Sequence, residues 1–159
     1  MGFNIVLIEP EIPTNTGNIG RLCLASASQL HLVKPLGFDI DDSSVKRAGL
    51  DYWKHVPLHI YESKEEFFSM HTDKKMAFFS SHATKKYWSI DYEEDMFLIF
   101  GKESVGLSKE ITDTYKEQLY TIPLFSEHIR SLNLSNAVSI SVYEGIRQLE
   151  NSKVQSLLD

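Results

Sequence analysis

Three short stretches carry residue types able to hold a small polar ligand and to handle charge. The first, Asn15 to Arg21, reads NTGNIGR and places two asparagines and a guanidinium where a helix pattern opens. The second, Gly101 to Leu107, reads GKESVGL and follows the apolar run FLIF. Its glycines, Gly101 and Gly106, permit close backbone approach and unusual dihedrals. The third, IPLFSEHIRSLNLSNA, runs from Ile122 to Ala137. It reads as the end of a strand over 119–122, stopped by Pro123 because proline cannot donate to a sheet ladder, and then as a polar turn. A helix follows, for which Asn133 or Ser131 can accept the free N–H groups of the first turn. A strand, a donor-rich loop and a helix N-terminus together make a place for a polar ligand. In open parallel sheets such ligands sit at the carboxyl ends of strands. The ends at Phe79-Ser80, Phe100-Gly101 and Ile122-Pro123 are the candidates.

Other chemistries fail on spacing. No G-x-G-x-x-G follows the first strand, so a dinucleotide site is not expected. Gly101-Lys102-Glu103-Ser104 lacks the upstream glycine of a phosphate loop, and Gly101 and Ser104 stand one residue too far apart for a nucleophile elbow. His55 and His59 are four apart, but Pro57 lies between them, and no metal site is expected. Cys23, the one cysteine, sits between two leucines on a helix pattern and reads as a buried thiol in a reducing cytoplasm.

Positioning these residues requires alternating elements. Strands are expected over 4–8, 31–33, 58–61, 76–79, 97–100 and 119–122. Helices are expected from Asn15 to about Leu30, over 43–48, over 63–70 behind a Ser63–Glu66 capping box, over 108–115 and from 134 to about 149. That alternation predicts an α/β fold with a mainly parallel sheet and helices on both faces. At 159 residues the chain is expected to be a single domain with a real core. The N-terminal MGFNIVLIEPE reads as a first strand, and no apolar run approaches a membrane span. The net charge of −6 speaks against indiscriminate nucleic-acid binding, but leaves room for a local basic patch.

The three stretches, in this order, resemble the three motifs of the SPOUT RNA methyltransferases: N-x-G-x-x-x-R in Asn15–Arg21, an apolar strand with G-x-E-x-x-G-L in 97–107, and I-P…S-L-N-L-S-N-A in 122–137. The segments EPEIP (9–13) and RAGLDY (47–52) bring the resemblance nearer to the bacterial group that methylates the ribose of the tRNA wobble nucleotide in leucine tRNAs. The resemblance covers about Asn4 to Glu150. It implies a deep trefoil knot in the C-terminal part, S-adenosylmethionine as cofactor, tRNA as substrate and a homodimer through the C-terminal helix. Apolar and small residues of that helix, including Ala137, Ser141 and Gly145, suit such pairing. A catalytically idle RNA-binding or assembly factor of the same fold is the alternative, and a nucleotide-binding oxidoreductase a remoter one.

Residue by residue, the resemblance places Arg21 at the catalytic centre, with Asn15, Ser131 and Asn133 beside it. A free guanidinium is a poor base, so Arg21 is read as a grip on the phosphate next to the target ribose. Cofactor contacts fall on Phe79, Gly101, Glu103, Gly106, Ile122, Ser131 and Leu132, with Glu103 given a structural part in fixing the loop. RNA contacts fall on Lys46, Arg47, Tyr52, Arg130 and Tyr143, with Lys54, Lys102 and Arg147 as further cations and Trp53 as a second stacking ring.

Overall fold

The computed structural model describes residues 2–41, 43, 45, 47 and 50–156. Six strands form one wholly parallel sheet: β1 (Asn4–Ile8), β2 (Gln29–Val33), β3 (Leu58–Tyr61), β4 (Met76–Phe79), β5 (Phe97–Phe100) and β6 (Leu119–Tyr120). Their spatial order is β3-β2-β1-β5-β4-β6. The central strands β1 and β5 are apolar from Ile5 to Ile8 and from Phe97 to Phe100 because both faces are covered. Alternate residues serve opposite sides. Ile5, Leu7, Leu98 and Phe100 enter one core with Ile19, Cys23, Val138 and Val142. Val6, Ile8, Phe97 and Ile99 enter the other with Phe67 and Ile111. Four helices supply those partners: α1 (Pro13–Ala25) and α4 (Leu134–Ser156) on the first face, α2 (Lys64–Met70) and α3 (Lys109–Thr114) on the second. A leucine or phenylalanine side chain fully buried in either core contributes ~1.5–3 kcal/mol.

Several boundaries differ from the sequence reading. Helix α1 starts at Pro13, whose fixed φ and missing N–H suit the first helical position. It stops at Ala25, so Leu30 belongs to β2 and not to the helix stripe. Ser63 caps α2 and Ser108 caps α3, accepting from the N–H groups of Glu66 and Ile111. The helix expected over 43–48 lies partly outside the described residues, as does Lys46; Val45 is buried and Arg47 exposed.

The carboxyl ends of the strands meet as the sequence requires. Leu7, Phe100, Phe79 and Tyr120 stand in one register row across β1, β5, β4 and β6. The chain turns opposite ways from β1, to β2 on one side and β5 on the other, which opens a crevice at that end.

The amino edge carries a polar seam that the fold must keep neutral. His31 is 3% exposed. Asn4 donates through Nδ2 to the Asp95 carbonyl, so its Oδ1 accepts from His31 Nε2 at 2.9 Å. His31 Nδ1 then accepts from the Tyr61 hydroxyl at 2.9 Å, and that hydroxyl accepts from His71 Nε2 at 3.1 Å. Burial, followed by the neighbouring His59 and His71, pushes the His31 pKa down to about 3. An unfolded histidine takes its proton at about pH 6.5, and the fold refuses that proton until about pH 3. The stabilisation from neutral His31 is therefore complete above pH 6.5 and is lost as pH falls toward 3, at about 1.4 kcal/mol per pH unit. Urea unfolding at pH 7, 6 and 5 should show the stability gap between wild type and His31→Gln narrowing as pH falls. A constant gap would remove this account.

Candidate active site

Each of the three chemistry-bearing stretches leaves the carboxyl end of the sheet, and side chains lock them to one another. Helix α1 has no local side-chain cap at Ile12. Glu103 supplies one from the loop after β5. Its carboxylate accepts from the backbone N–H groups of Glu11 (2.7 Å) and Ile12 (3.0 Å) and from Asn15 Nδ2 (3.3 Å). A carboxylate there also meets the positive end of the helix dipole. The clasp is reciprocal, since the Glu11 carboxylate accepts from the N–H and hydroxyl of Ser104 at 3.0 and 2.7 Å. The Ser104 hydroxyl and then its amide hold the Glu11 carboxyl below the usual carboxylate range. Lys102 adds a pair to Glu9 at 3.4 Å.

The third stretch joins through Asn133. Its Nδ2 donates to Asn15 Oδ1 at 3.1 Å, while its Oδ1 caps α4 by accepting from the N–H groups of Ser135 and Asn136. One hydrogen-bonded line thus runs from Glu103 through Asn15 to Asn133. Asn15 is buried, and both ends of its amide are used within this line. The geometry gives it the part of a strut between loops. Asn133 is the cap of α4; Ser131 is exposed and does not share that task.

The backbone around the glycines is specialised. A Cβ on Gly101 would stand 2.2 Å from the Gly106 carbonyl carbon and 2.2 Å from the Leu107 nitrogen, so the loop closes on itself only without one. Gly106 has φ +71°, and a Cβ there would meet no atom within 4 Å. The loop presents bare backbone at that point. Phe79 is buried and stacks on Phe100, with ring centroids 4.5 Å apart. Ile122 and Leu132 are half-buried. Val105 and Phe125 on the same loops are 74% and 96% exposed.

Arg21 lies on the outer side of α1. Its guanidinium sits over the Tyr52 ring, 5.3 Å from the centroid, and forms no ion pair with a described carboxylate. It does not join Asn15, which faces the other way into the loop clasp. Trp53 is corrected as a stacking ring: it is half-buried against α1, with its edge where a Cβ of Gly20 would be. Lys102 is corrected as a free cation by its pair with Glu9, and Arg147 by its two bonds to Glu144. Arg47, Lys54, Arg130 and Tyr143 are exposed. Sequence reasoning missed the Glu11–Ser104 half of the clasp. The prolines flanking Glu11 were the available sign of a fixed loop.

A fold of this kind with three interlocked loops at adjacent strand ends is that of an RNA methyltransferase class: the model of the SpoU rRNA Methylase family matches residues 2–143, and the chain belongs to that family. More particularly, it is 43% identical over 150 residues to the tRNA (cytidine(34)-2'-O)-methyltransferase of Saccharophagus degradans, covering 92% of this chain and 96% of the other. The enzyme of the same name from Methylovorus glucosotrophus is 40% identical over 147 residues, covering 92% and 95%. A solved structure concerned with the 2-OH methylation of C/U34 on tRNA matches with a TM-score of 0.90 and 37% identity over 94% of this chain and 97% of that one. An AdoMet-bound rRNA methyltransferase from Sinorhizobium meliloti, 24% identical, shares the fold with a TM-score of 0.83 over 93% of this chain and 57% of its own.

Proposed function

We propose that this protein methylates the ribose 2′-hydroxyl of nucleotide 34, cytidine or uridine, in tRNA, with S-adenosylmethionine as methyl donor and leucine tRNAs as the substrates. The observation that carries the reading is the Glu103–Asn15–Asn133 line. It fixes a donor-rich crevice at the strand ends, near the helix that carries Arg21, which pairs with no described carboxylate. Relatives similar over nearly the whole chain carry the wobble-position activity in their names. The test is mass spectrometry of nucleosides from tRNA incubated with protein and cofactor. Ribose methylation at position 34 is the expected product, and its absence with intact, cofactor-bound protein favours an idle RNA-binding protein.

The residues present fit the cofactor. Bare backbone at Gly106, with open space where a side chain would stand, can read an adenine edge. The half-buried Ile122 and Leu132 are read as the cover for its faces, with the exposed Ser131 next to Leu132 in the chain. The bound cofactor supplies an electrophilic methyl group on a sulfonium. What the protein contributes is placement of the ribose, which can account for a large share of the rate, and stabilisation of charge on the 2′-oxygen as its proton leaves. Arg21 has its guanidinium donors available for the neighbouring phosphate, and Tyr52 beneath it fixes their direction.

The same reading extends to a single cytoplasmic domain and a trefoil knot. Thr121 donates to the Lys85 carbonyl and accepts from the Tyr87 N–H, while β4 holds the other edge of β6. A strand lying between two consecutive parts of the chain is the local geometry that a knot needs. No described helix is long and apolar enough to cross a membrane. A homodimer through α4 also belongs to the reading, but with a different face. Ser141 and Gly145 are buried against the chain's own core, Gly145 beside Phe3 and Tyr92. The exposed Ile140 and Tyr143 are the residues left for a second copy. Sedimentation at micromolar concentration should give a dimer, and Ile140→Asp a monomer; a monomeric wild type refutes the arrangement.

A further inference from the structure

The segment between β4 and β5 carries a surface that none of the motifs includes. From Lys74 to Ile90 the chain has no acidic residue, although the whole protein carries 22, and the acidic Asp91, Glu93, Glu94 and Asp95 follow only after Ile90. Within it, His82, Lys85, Lys86 and Trp88 are exposed, with Trp88 at 52%. Lys34, Lys64, Lys74, Lys75, Lys109 and Lys153 are each held within 4.0 Å of a carboxylate. Lys85 and Lys86 pair with no described carboxylate.

The segment is fixed in place. Thr121 donates to the Lys85 carbonyl at 2.8 Å and the Tyr87 N–H donates to Thr121 at 3.0 Å, so 85–87 forms a short outer edge beside β6. Lys85 lies over the Tyr120 ring at 4.9 Å and donates to the Glu117 carbonyl, which occupies its ammonium. Lys86 is exposed and has no ion-pair partner among the described residues. The Trp88 carbonyl accepts from Gln148 Nε2 of α4 at 3.0 Å, which holds the ring's backbone against that helix. Lys86 stands in register with Thr121, one residue before Ile122 of the candidate cofactor loop.

We infer that Lys86 and Trp88 form a contact surface for the tRNA, Lys86 on a backbone phosphate and Trp88 stacked on an unpaired base. This rests on the tRNA-methylating reading. An exposed lysine with no described carboxylate partner and an exposed indole two residues on, within the acid-free stretch 74–90 of a net acidic protein, match a single-stranded polyanion with aromatic bases. An indole stacks on any base, and the nucleotides of an anticodon loop are unpaired.

The test is tRNA binding by fluorescence anisotropy across a salt series, with S-adenosylhomocysteine titrated by calorimetry. Lys86→Glu is expected to weaken tRNA about tenfold and to lower the salt slope by about one. Trp88→Ala is expected to weaken it roughly tenfold, within the range of base stacking, and Trp88→Phe to restore most of the loss. S-adenosylhomocysteine affinity stays at the wild-type value throughout. Should Lys86→Glu and Trp88→Ala bind tRNA like a wild type that itself binds, the surface is wrong while the substrate reading stands. A wild type that neither binds nor methylates tRNA overturns both. A change in sedimentation on Trp88→Ala assigns the ring to an interface between copies and likewise overturns the inference.

Discussion

Arg21→Ala is expected to cut single-turnover methylation at saturating tRNA by roughly 10²–10³-fold while leaving the cofactor dissociation constant within about twofold of wild type. The reasoning starts from the 2′-hydroxyl, a weak nucleophile whose oxygen gains charge as its proton leaves. A fixed cation next to that charge acts on the transition state and hardly at all on cofactor binding. Arg21 is available for this because no described carboxylate neutralises it and because the Tyr52 ring supports its guanidinium. That cation–π contact contributes ~0.5–1 kcal/mol at an exposed site, enough to favour one direction for the side chain. Arg21→Lys should restore little, since a point charge cannot reproduce a two-pronged grip on phosphate. Tyr52→Phe keeps the ring and should stay near wild type. Wild-type methylation by Arg21→Ala, or loss of the cofactor in its place, would show the assigned role to be mistaken.

A loss of the other kind is expected from Gly101→Ala: cofactor affinity should drop at least ~100-fold, because a Cβ there cannot share space with backbone 2.2 Å away. Two backbone segments would have to separate, opening the 101–107 loop and pulling Glu103 from the amides of Glu11 and Ile12. Gly106→Ala is the informative contrast. It meets no protein atom, but its φ of +71° costs a non-glycine residue ~1–2 kcal/mol. It should fold with a modest loss of stability and bind the cofactor more weakly than wild type but better than Gly101→Ala. Calorimetric titration with S-adenosylhomocysteine, beside thermal unfolding of each variant, decides the matter. Wild-type affinity in Gly101→Ala would show that the loop is not part of the cofactor site.

The sequence by itself determined the parallel sheet and the three loops. Runs such as 5–8 and Phe97–Phe100 are apolar without alternation, as a strand covered on both faces requires. Pro123, the glycines of 101–107 and the cap at Asn133 act through neighbours in the chain, so their effects can be read locally. Ser63 and Ser108 cap their helices for the same reason. Everything that joins distant segments had to wait for the tertiary structure. Glu103 caps a helix that begins 90 residues earlier in the chain, and no pattern within its own loop says which amides it will meet. The stripe of α4 showed that one face would be buried, but whether against the chain itself or a second copy depended on Phe3 and Tyr92 filling the space at Gly145. Charge was the least legible feature. Lys102, Arg147 and Lys86 look alike as letters, and only the placement of Glu9, Glu144 and Thr121 separates the two held in ion pairs from the one left for a partner. A lysine's chemistry is set by what lies within a few ångströms of its ammonium, and that is a property of the folded chain.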